Sequence, residues 1–185
     1  MSKIYTKTGD NSVTSLLGKR VKKDCLEIGT LGDIDELNAS LGVLNAQINV
    51  GDFKKIMGQI VDIQNNLFII GSNVAAVGEE IKNIPKLNEQ SLIDLEDWID
   101  AMEKDLPPLH NFILPGGSSA ATQSFLARAV CRRAERNFVS LSEKYNKIDP
   151  LMKKYLNRLS DYLFVLARFL NKKNGLEEIL WGNKY

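Results

Sequence analysis

The stretch SAATQSFLARAVCRRAERNFVSLSEKY, residues 119–145, carries the longest helical pattern in the sequence and decides the fold class. Its apolar side chains recur at three- and four-residue steps, which is the period of an amphipathic helix. The serines just before and at its start are favoured N-cap residues. We expect the side chains at its apolar positions to pack into a core: Leu126, Ala129, Val130, Ala134 and Phe138.

A polar stripe follows the same helix and consists of Arg128, Arg132 and either Glu135 or Arg136. These positions follow one another at i, i+4 and i+7 or i+8, so their side chains share one face. A solvated face held by salt bridges is the usual interpretation of such a stripe. Arginines in line on one helix also suit an anionic ligand or the carboxylate of a partner.

Four other stretches show the helical period, namely residues 25–48, 53–77, 88–106 and 150–171. Five long helices, short connections and no convincing strand predict an all-α protein, a five-helix up-down bundle. The sequence contains no Walker loop and no Rossmann glycine fingerprint. Any nucleotide site must therefore be of another kind.

The composition excludes several classes of protein. The chain has 185 residues and a formal net charge of +1, which indicates one domain and argues against a general polyanion binder such as a nucleic-acid protein. Its most apolar run, residues 67–70, is far too short to span a membrane, and its first ten residues lack the apolar run of a signal peptide. Cys25, Cys131 and a single histidine favour neither a disulfide framework nor a structural zinc site, which suggests the reducing cytoplasm.

The opening stretch IYTKTGDNSVTS, residues 4–15, is rich in hydroxyl groups and contains a Gly-Asp-Asn-Ser turn sequence. Successive turn amides that point inward form a concave anion site, which hydroxyl groups and Lys7 would complete. A frayed terminus is the alternative. The basic residues 18–24 that follow are interpreted either as a solvated linker or as further phosphate contacts.

Two other stretches are candidates for a site. Asp33, Asp35 and Asn38 lie within one and a half turns of the first predicted helix, which otherwise has an apolar face. The loop sequence FILPGG, residues 112–117, is an apolar triplet that ends in a Pro-Gly-Gly turn. Such a triplet either packs into the core or lines a pocket. The apolar tail at residues 176–185 is expected to cover another surface.

Five motifs in order resemble the ATP:cob(I)alamin adenosyltransferases of the propanediol-utilisation type. The motifs are TKTGD with TSL at residues 6–16, GDIDELN at 32–38, FILPGG at 112–117, ARAVCRRAER at 127–136 and YLNRLSD at 155–161. The resemblance covers residues 5–168. Ser12 stands where this family commonly has glycine, so we expect the local turn to use Asn11 or a conventional φ at Ser12.

The resemblance implies transfer of the 5′-deoxyadenosyl group of ATP to the Co(I) of cobalamin, giving adenosylcobalamin and triphosphate. It implies a trimeric, ferritin-like bundle with ATP at the subunit interfaces. The single domain, residues 1–185, would comprise an ATP-binding loop at 1–24, the bundle at 25–172 and a tail at 173–185. The expected ATP contacts are Tyr5, Thr6, Lys7, Thr8, Gly9, Asp10, Asn11, Ser12, Val13, Thr14, Ser15, Lys22, Arg132, Glu135, Arg136 and Asn157.

The resemblance also implies four catalytic residues: Phe112, Arg132, Asp35 and Arg128. Arg132 would stabilise charge on the departing triphosphate, and Asp35 would pair with Arg128 of a neighbouring subunit. Phe112 would displace the lower axial base and leave a four-coordinate Co(II) that is easier to reduce. The expected cobalamin contacts are Leu31, Asp35, Phe112, Ile113 and Tyr162, with the tail around Trp181 beside them.

The implied cofactor is Mg²⁺ bound through the triphosphate, with K⁺ as a further candidate and no metal ligand from the protein itself. The implied partners are ATP, cob(II)alamin or cob(I)alamin, a flavin-type reductase, an adenosylcobalamin-dependent enzyme and further copies of the chain. Two other classes compete with the enzyme: an ATP sensor or corrinoid carrier on the same trimer, and a structural interaction protein. We expect the opening loop to become ordered when ATP binds between subunits.

Overall fold

The computed structural model describes residues 4–5, 7–48 and 53–182, and five long helices account for most of them. The helices are α1 (Leu26–Gln47), α2 (Lys54–Ala75), α3 (Glu89–Glu103), α4 (Ser119–Lys144) and α5 (Pro150–Lys173). Each predicted helix is present, and most of the predicted ends lie within two residues of the observed ones. The all-α bundle predicted from the apolar period is therefore confirmed.

Side-chain contacts between helices indicate their relative directions, and Leu31 lying beside Gly71 while Asn38 lies beside Gln64 makes α1 and α2 antiparallel. The amide of Asn38 on α1 and that of Gln64 on α2 each donate to the other's backbone carbonyl, at 3.3 and 3.1 Å. Gln123 near the start of α4 reaches Ser40 in the second half of α1, which makes these two helices antiparallel. The fold is an up-down bundle with a single core that runs its full length.

The apolar face of α4 differs from the prediction at two positions. Val130, Ala134 and Phe138 are buried as expected, whereas Leu126 is 55% exposed and Ala129 is not part of the buried core. The prediction that these two side chains pack into the core of the protomer was wrong. The buried face of α4 instead includes its small residues, Ala120, Ala121, Ser124, Ala127 and Cys131.

Helix ends follow the local chemistry that the sequence indicated. Asn88 accepts a hydrogen bond from the backbone N–H of Gln90, and Ser118 accepts one from Ala121, so both act as N-caps. Ser118 was one of two candidates for its cap. After α5, Gly175 takes a left-handed φ of 68°, the conformation that commonly ends a helix.

A β-hairpin precedes α1, and the sequence did not predict it. Strand β1 (Val13–Leu16) pairs antiparallel with β2 (Lys19–Lys22), with Val13 opposite Lys22. The interpretation of the basic segment as a solvated linker was therefore wrong over β2. Each strand has only four residues, which is too few for an alternating pattern to stand out from the surrounding polar sequence.

Length and apolar character together decide whether a helix can cross a lipid bilayer. None of the helical segments in the described part of the chain combines the necessary length with sufficient apolar character.

Candidate functional site

The opening loop is held against the hairpin by its backbone carbonyl groups. One guanidinium nitrogen of Arg20 lies 2.7 Å from the carbonyl oxygen of Thr8 and 3.5 Å from that of Val13. The backbone N–H of Lys23 donates to the carbonyl of Ser12 at 2.9 Å. These bonds use carbonyl groups and fix the backbone of the turn beside the hairpin.

Two residues of this loop have positive φ although they are not glycines: Lys7 at 59° and Ser12 at 60°. The expectation that the turn would use Asn11 or a conventional φ at Ser12 was wrong, because Ser12 itself is left-handed. A non-glycine residue with a left-handed backbone conformation costs roughly 1–2 kcal/mol of conformational free energy, which the surrounding hydrogen bonds must offset. Thr6, a predicted ATP contact, lies outside the described residues.

Two lysine side chains, Lys22 and Lys23, lie beside the turn and give this surface positive charge. A concave pocket of about 510 Å³ lies here, lined by Asn11, Ser12, Val13, Lys22, Lys23 and Asp24. The ammonium group of Lys23 also lies beside Gly9, where an added Cβ would be 3.3 Å from it. Lys22, predicted as a phosphate contact, is thus placed beside the turn that the sequence singled out.

The hairpin is attached to the bundle through Lys19. Its ammonium group donates to the carbonyl oxygen of Val77 at 2.5 Å and lies 5.7 Å from the ring centre of Tyr145. The hydroxyl of Tyr145 in turn donates to Glu27, whose carboxylate also accepts from Lys144 at 2.8 Å. Burial of Glu27 alone would raise its pKa, but the hydrogen bonds from Lys144 and Tyr145, with smaller ones from the Cys25 side chain and the backbone, outweigh that effect and lower the pKa to about 2.

The polar stripe of α4 faces α5. The side-chain amide of Asn157 donates to Glu135 at 2.9 Å, so two predicted ATP contacts from different helices meet. Arg132 on the same helix is exposed. Arg128 stacks on the ring of Phe164, with its guanidinium carbon 5.3 Å from the ring centre.

Arg128 also lines a pocket of about 540 Å³ between α3, α4 and α5. Its polar lining is largely acidic, from Glu96, Asp100, Glu103 and Asp161, with Arg158 paired to Glu96 at 3.0 Å. Asp35 is not among its lining residues. Within one protomer the predicted Asp35–Arg128 pair is not formed among the described ion pairs.

Asp35 lines a different pocket, of about 510 Å³, between α1 and α2. The lining is mostly apolar and includes Leu31, Leu17 of the hairpin and Phe68, which is 68% exposed. Ile28 and Leu31, which follow the apolar period of α1, are only half-buried and line this pocket, and Leu31 also packs against the core. Leu31 and Asp35, both predicted cobalamin contacts, therefore share one concave surface.

The neighbouring Asp33 has a structural role instead. Its two carboxylate oxygens accept from Arg133 at 2.9 Å and from Asn137 at 2.5 Å. Arg133 also donates to Glu36. These bonds join α1 to α4 and fix the helix face on which Asp35 lies.

Phe112 lies in the loop between α3 and α4 and is 80% exposed, although it is a large aromatic side chain. Ile113 packs against the core, as one of the two alternatives for the apolar triplet predicted, whereas Leu114 is exposed like Phe112. The C-terminal tail lies alongside, with Ile113 and Leu180 forming an antiparallel bridge. Trp181 of this tail is 69% exposed.

Comparison with known proteins gives these surfaces a context. The family model for cobalamin adenosyltransferase matches residues 4–170. This chain belongs to the cobalamin adenosyltransferase family. The corrinoid adenosyltransferase of Bacillus subtilis is 42% identical over 178 residues, which are 96% of this chain and 91% of the relative. The cobalamin adenosyltransferase of Cupriavidus metallidurans is 40% identical over 98% of this chain and 95% of its own length.

Solved structures of cobalamin adenosyltransferases have the same fold. An F112A variant of a PduO-type ATP:corrinoid adenosyltransferase from Lactobacillus reuteri, complexed with cobalamin and ATP, superposes with a TM-score of 0.91. It is 32% identical, over 98% of this chain and all of that chain. An R132K variant of that type, complexed with ATP, has a TM-score of 0.89, with 96% and 99% coverage.

One predicted residue of the cobalamin adenosyltransferase site is placed elsewhere. Tyr162 is fully buried, with its hydroxyl donating to Gln59 at 3.0 Å and its ring edge-on to Trp98. Burial raises the pKa of this phenol. In this structure Tyr162 is a core residue without surface for a ligand, so the proposed cobalamin site does not include it.

Several residues that connect the elements carrying the candidate surfaces were not predicted from the sequence, namely Lys19, Arg20, Arg133, Arg168 and Asn171. Arg133 adjoins the predicted stripe but faces α1, so only the three-dimensional packing of α4 distinguishes it. Lys19 and Arg20 had been grouped with a basic linker, and their separate roles depend on the hairpin register. Arg168 and Asn171 sit on the apolar α5 and contact distant loops.

Proposed function

We propose that this protein transfers the 5′-deoxyadenosyl group of ATP to the cobalt of cob(I)alamin. The electron pair of Co(I) forms the cobalt–carbon bond at C5′ while the carbon–oxygen bond to the triphosphate breaks. The products are adenosylcobalamin and inorganic triphosphate. Membership of the family, and relatives whose solved structures contain cobalamin and ATP, support this reaction.

The observation that carries the proposal is the distribution of predicted contacts over two faces of the protomer. The face of α1 and α2 bears Asp35 and, through Leu17, the hairpin that follows the opening loop. The face of α4 and α5 bears Arg128 and the hydrogen-bonded Glu135 and Asn157. A contact between the first face of one copy and the second face of another would bring both halves of the site together.

Such a contact joins two different surfaces, so it is heterologous and closes into a ring when the rotation between copies allows. We propose a homotrimer of this kind, with Asp35 of one subunit paired to Arg128 of the next. The exposed Leu126 on α4 and Phe68 on α2 would gain cover in this assembly. Burying these side chains favours association by roughly 25 cal/mol per Å² of apolar area.

In the proposed site the opening loop binds the triphosphate. The turn amides, the hydroxyl groups and the nearby Lys22 supply hydrogen-bond donors and positive charge. Arg132, which is exposed on the second face, would stabilise the negative charge that develops on the leaving triphosphate. Asn157 holds the Glu135 carboxylate in place to receive hydroxyl groups of the nucleoside or water on a metal ion.

In the proposed site a magnesium ion would be coordinated mainly by the phosphate oxygens of ATP rather than by side chains of the protein. Among the residues that the structure describes, no three acidic, histidine or cysteine side chains converge to hold a metal. Mg²⁺ prefers phosphate oxygens and retains several waters, so it can enter with ATP. When bound it supplies charge neutralisation to the triphosphate. K⁺ is a second candidate ion, which exchange of K⁺ for Na⁺ in the assay would test.

Phe112 is proposed to act on the cobalamin substrate. An exposed aromatic ring on a fixed loop offers an apolar surface to the lower face of the corrin. Without an axial donor, Co(II) is four-coordinate and accepts an electron more readily. The electron would come from a flavin-type reductase, and the product would pass to an adenosylcobalamin-dependent enzyme.

The decisive experiment mixes the protein with ATP, Mg²⁺ and chemically reduced cobalamin. We expect the visible spectrum of adenosylcobalamin to appear together with one triphosphate per turnover. Arg132→Ala should reduce the rate strongly, while the exposed control Lys153→Ala should not. Binding of both ligands without product would indicate a sensor or carrier instead, and binding of neither would indicate an interaction protein.

A further inference from the structure

The loop that carries Phe112 has a well-defined backbone although the phenylalanine side chain is exposed. The loop connects α3 to α4, and α5 holds it near both ends. At its start, Arg168 donates to the carbonyl oxygen of Pro107 at 2.9 Å. At its end, the side chain of Asn171 donates to the carbonyl of Gly116 at 2.8 Å and accepts from the N–H of Ser118 at 2.9 Å.

At the end of the loop that precedes α4, the backbone lies so close to Asn171 that only glycine can occupy position 117. Gly117 has a φ of 108°, and an added Cβ there would lie 2.1 Å from the Asn171 side-chain oxygen. Asn171 is itself only 3% exposed, so it has no room to move aside. The end of the loop is therefore fixed to α5 by the backbone geometry as well as by hydrogen bonds.

The middle of the loop is held by the C-terminal tail. The N–H of Leu114 donates to the carbonyl of Ile179, and the N–H of Trp181 donates to the carbonyl of Phe112, both at 2.8 Å. These bonds flank the bridge between Ile113 and Leu180. The tail thus forms backbone hydrogen bonds with Phe112 itself and with the nearby Leu114.

The tail is in turn attached to α5 by a buried ion pair. The guanidinium of Arg168 contacts the two carboxylate oxygens of Glu178 at 2.6 and 3.1 Å. The side chains of Arg168 and Glu178 are only 5% and 19% exposed. Glu178 directly precedes the residue whose carbonyl receives the Leu114 N–H, so the ion pair and the bridge are adjacent in the chain.

We propose that Glu178 and Arg168 are positioning residues for Phe112, and that the tail and the loop form one unit at the cobalamin site. Arg168 contacts both segments of this unit: it contacts the loop through Pro107 and the tail through Glu178. The inference rests on the proposed role of Phe112. In this proposal the C-terminal tail keeps the backbone at Phe112, and therefore its aromatic ring, in a fixed position relative to α5.

Charge-assisted, bidentate hydrogen bonds with little solvent exposure are stronger than exposed ion pairs. Replacing Glu178 with glutamine removes the charge but preserves the size of the side chain. The tail would then detach more often from α5, and the backbone bonds at Phe112 would open with it. The nearby Glu177 is exposed, so Glu177→Gln is a matched control for loss of one acidic charge.

Amide hydrogen exchange of the free protein tests the mechanical part of the proposal. We expect Glu178→Gln to raise the exchange rate at the Leu114 and Trp181 amides by about tenfold or more. Glu177→Gln should leave both rates unchanged. Equal rates in Glu178→Gln and wild type would overturn the inference, whatever reaction the protein catalyses.

Turnover measured from Co(II) and from Co(I) tests the functional part. We expect Glu178→Gln to lower turnover from cob(II)alamin by about tenfold, with the KM for ATP within about twofold of wild type. Magnetic circular dichroism should show less four-coordinate Co(II). A wild-type amount of that species in Glu178→Gln would overturn the positioning role, whereas its absence from wild type would instead contradict the proposed role of Phe112.

A second variant covers the case in which Glu178→Gln does not fold. Trp181→Pro removes the backbone N–H that donates to Phe112, and Trp181→Ala keeps it. Because the Trp181 side chain is exposed, neither change disturbs the core. We expect faster exchange at Leu114 and lower turnover from Co(II) in the proline variant than in the alanine variant. Identical behaviour of the two would overturn the proposal.

Discussion

The side-chain amide of Asn157 on α5 donates a hydrogen bond to the carboxylate of Glu135 on α4, over 2.9 Å. The two residues come from separate motifs, 22 positions apart, and neither is part of the core. A polar bond of this kind on an exposed face adds little to stability, so its value lies in orienting the carboxylate.

Loss of this bond should affect nucleotide binding rather than folding. We expect Asn157→Ala to raise the KM for ATP by about tenfold, the effect of one hydrogen bond to a charged group. The melting temperature should change by no more than about 2 °C, because Asn157 is exposed. Steady-state kinetics and calorimetry measure the two effects, with the exposed Lys154→Ala one turn earlier as the control. An unchanged KM would remove Asn157 from the site.

The exposure of Phe112 allows its chemical role to be separated from stability. Phe112→Ala should melt close to wild type and bind ATP normally, because the ring contributes little to the core. We expect at least about a tenfold loss of turnover from cob(II)alamin, a barrier increase of about 1.4 kcal/mol or more. Leu114→Ala, on the same loop, keeps its backbone N–H and should retain most of the activity.

Magnetic circular dichroism identifies the step that Phe112 affects. Four-coordinate Co(II) should decrease in Phe112→Ala when ATP and cob(II)alamin are both present. If the variant formed as much of this species as wild type, the ring would have another function.

The proposed subunit contact makes a reciprocal prediction for Asp35 and Arg128. Asp35→Asn and Arg128→Ala should each weaken the trimer or corrinoid turnover, by roughly 1–3 kcal/mol for a desolvated ion pair. The charge-swapped double variant, Asp35→Arg with Arg128→Asp, should recover part of the loss. Light scattering and kinetics on wild type, Asp35→Arg, Arg128→Asp and the charge-swapped double variant form a double-mutant cycle. Strictly additive losses would rule out direct pairing.

The apolar period of the sequence was sufficient to predict the helix bundle, but it did not predict the contacts between the loops. The helices, the shortest of which has 15 residues and the longest 26, repeat their apolar period several times, so α1 to α5 could be predicted together with a serine cap for α4. The four-residue strands offered no comparable repetition. Ser12 took a left-handed conformation because bonds from Lys23 and Arg20, which lie outside the turn sequence, hold the loop.

The candidate site was predictable to the extent that its residues stand on regular helices. Glu135 and Asn157 meet because helical spacing places each on the side that faces the other helix. Tyr162 fits the apolar period equally well as a core or a pocket residue, and only packing decides that it is buried. The tail–loop pairing could not be predicted, since it is an isolated bridge between Ile113 and Leu180, which are far apart in the sequence and lie outside any repeating pattern.

Stability should depend on pH through Glu27. The pKa of its carboxyl group is about 2 in the folded protein, against an ordinary value of 4.5, so the folded state favours the ionised carboxylate. The resulting contribution, about 3 kcal/mol at most, is complete above pH 4.5 and is lost as the pH falls towards 2. Urea unfolding at neutral pH, near pH 4.5 and below it should show that Glu27→Gln is destabilised most at neutral pH. A pH-independent difference between the two proteins would exclude the ionised carboxylate as the cause.

The opening loop should respond to nucleotide more than any other part of the chain. The attachments of the turn include backbone carbonyl bonds from Arg20 and Lys23, and such exposed bonds open readily. We expect ATP with Mg²⁺ to slow amide exchange over residues 7–15 by about tenfold or more, while the buried centre of α5 stays unchanged. Arg132→Ala should reduce this protection, because the arginine would hold the far end of the same triphosphate. Exchange that is equally slow without ATP would show that the loop is already ordered in the free protein, and that nucleotide binds to a preformed site.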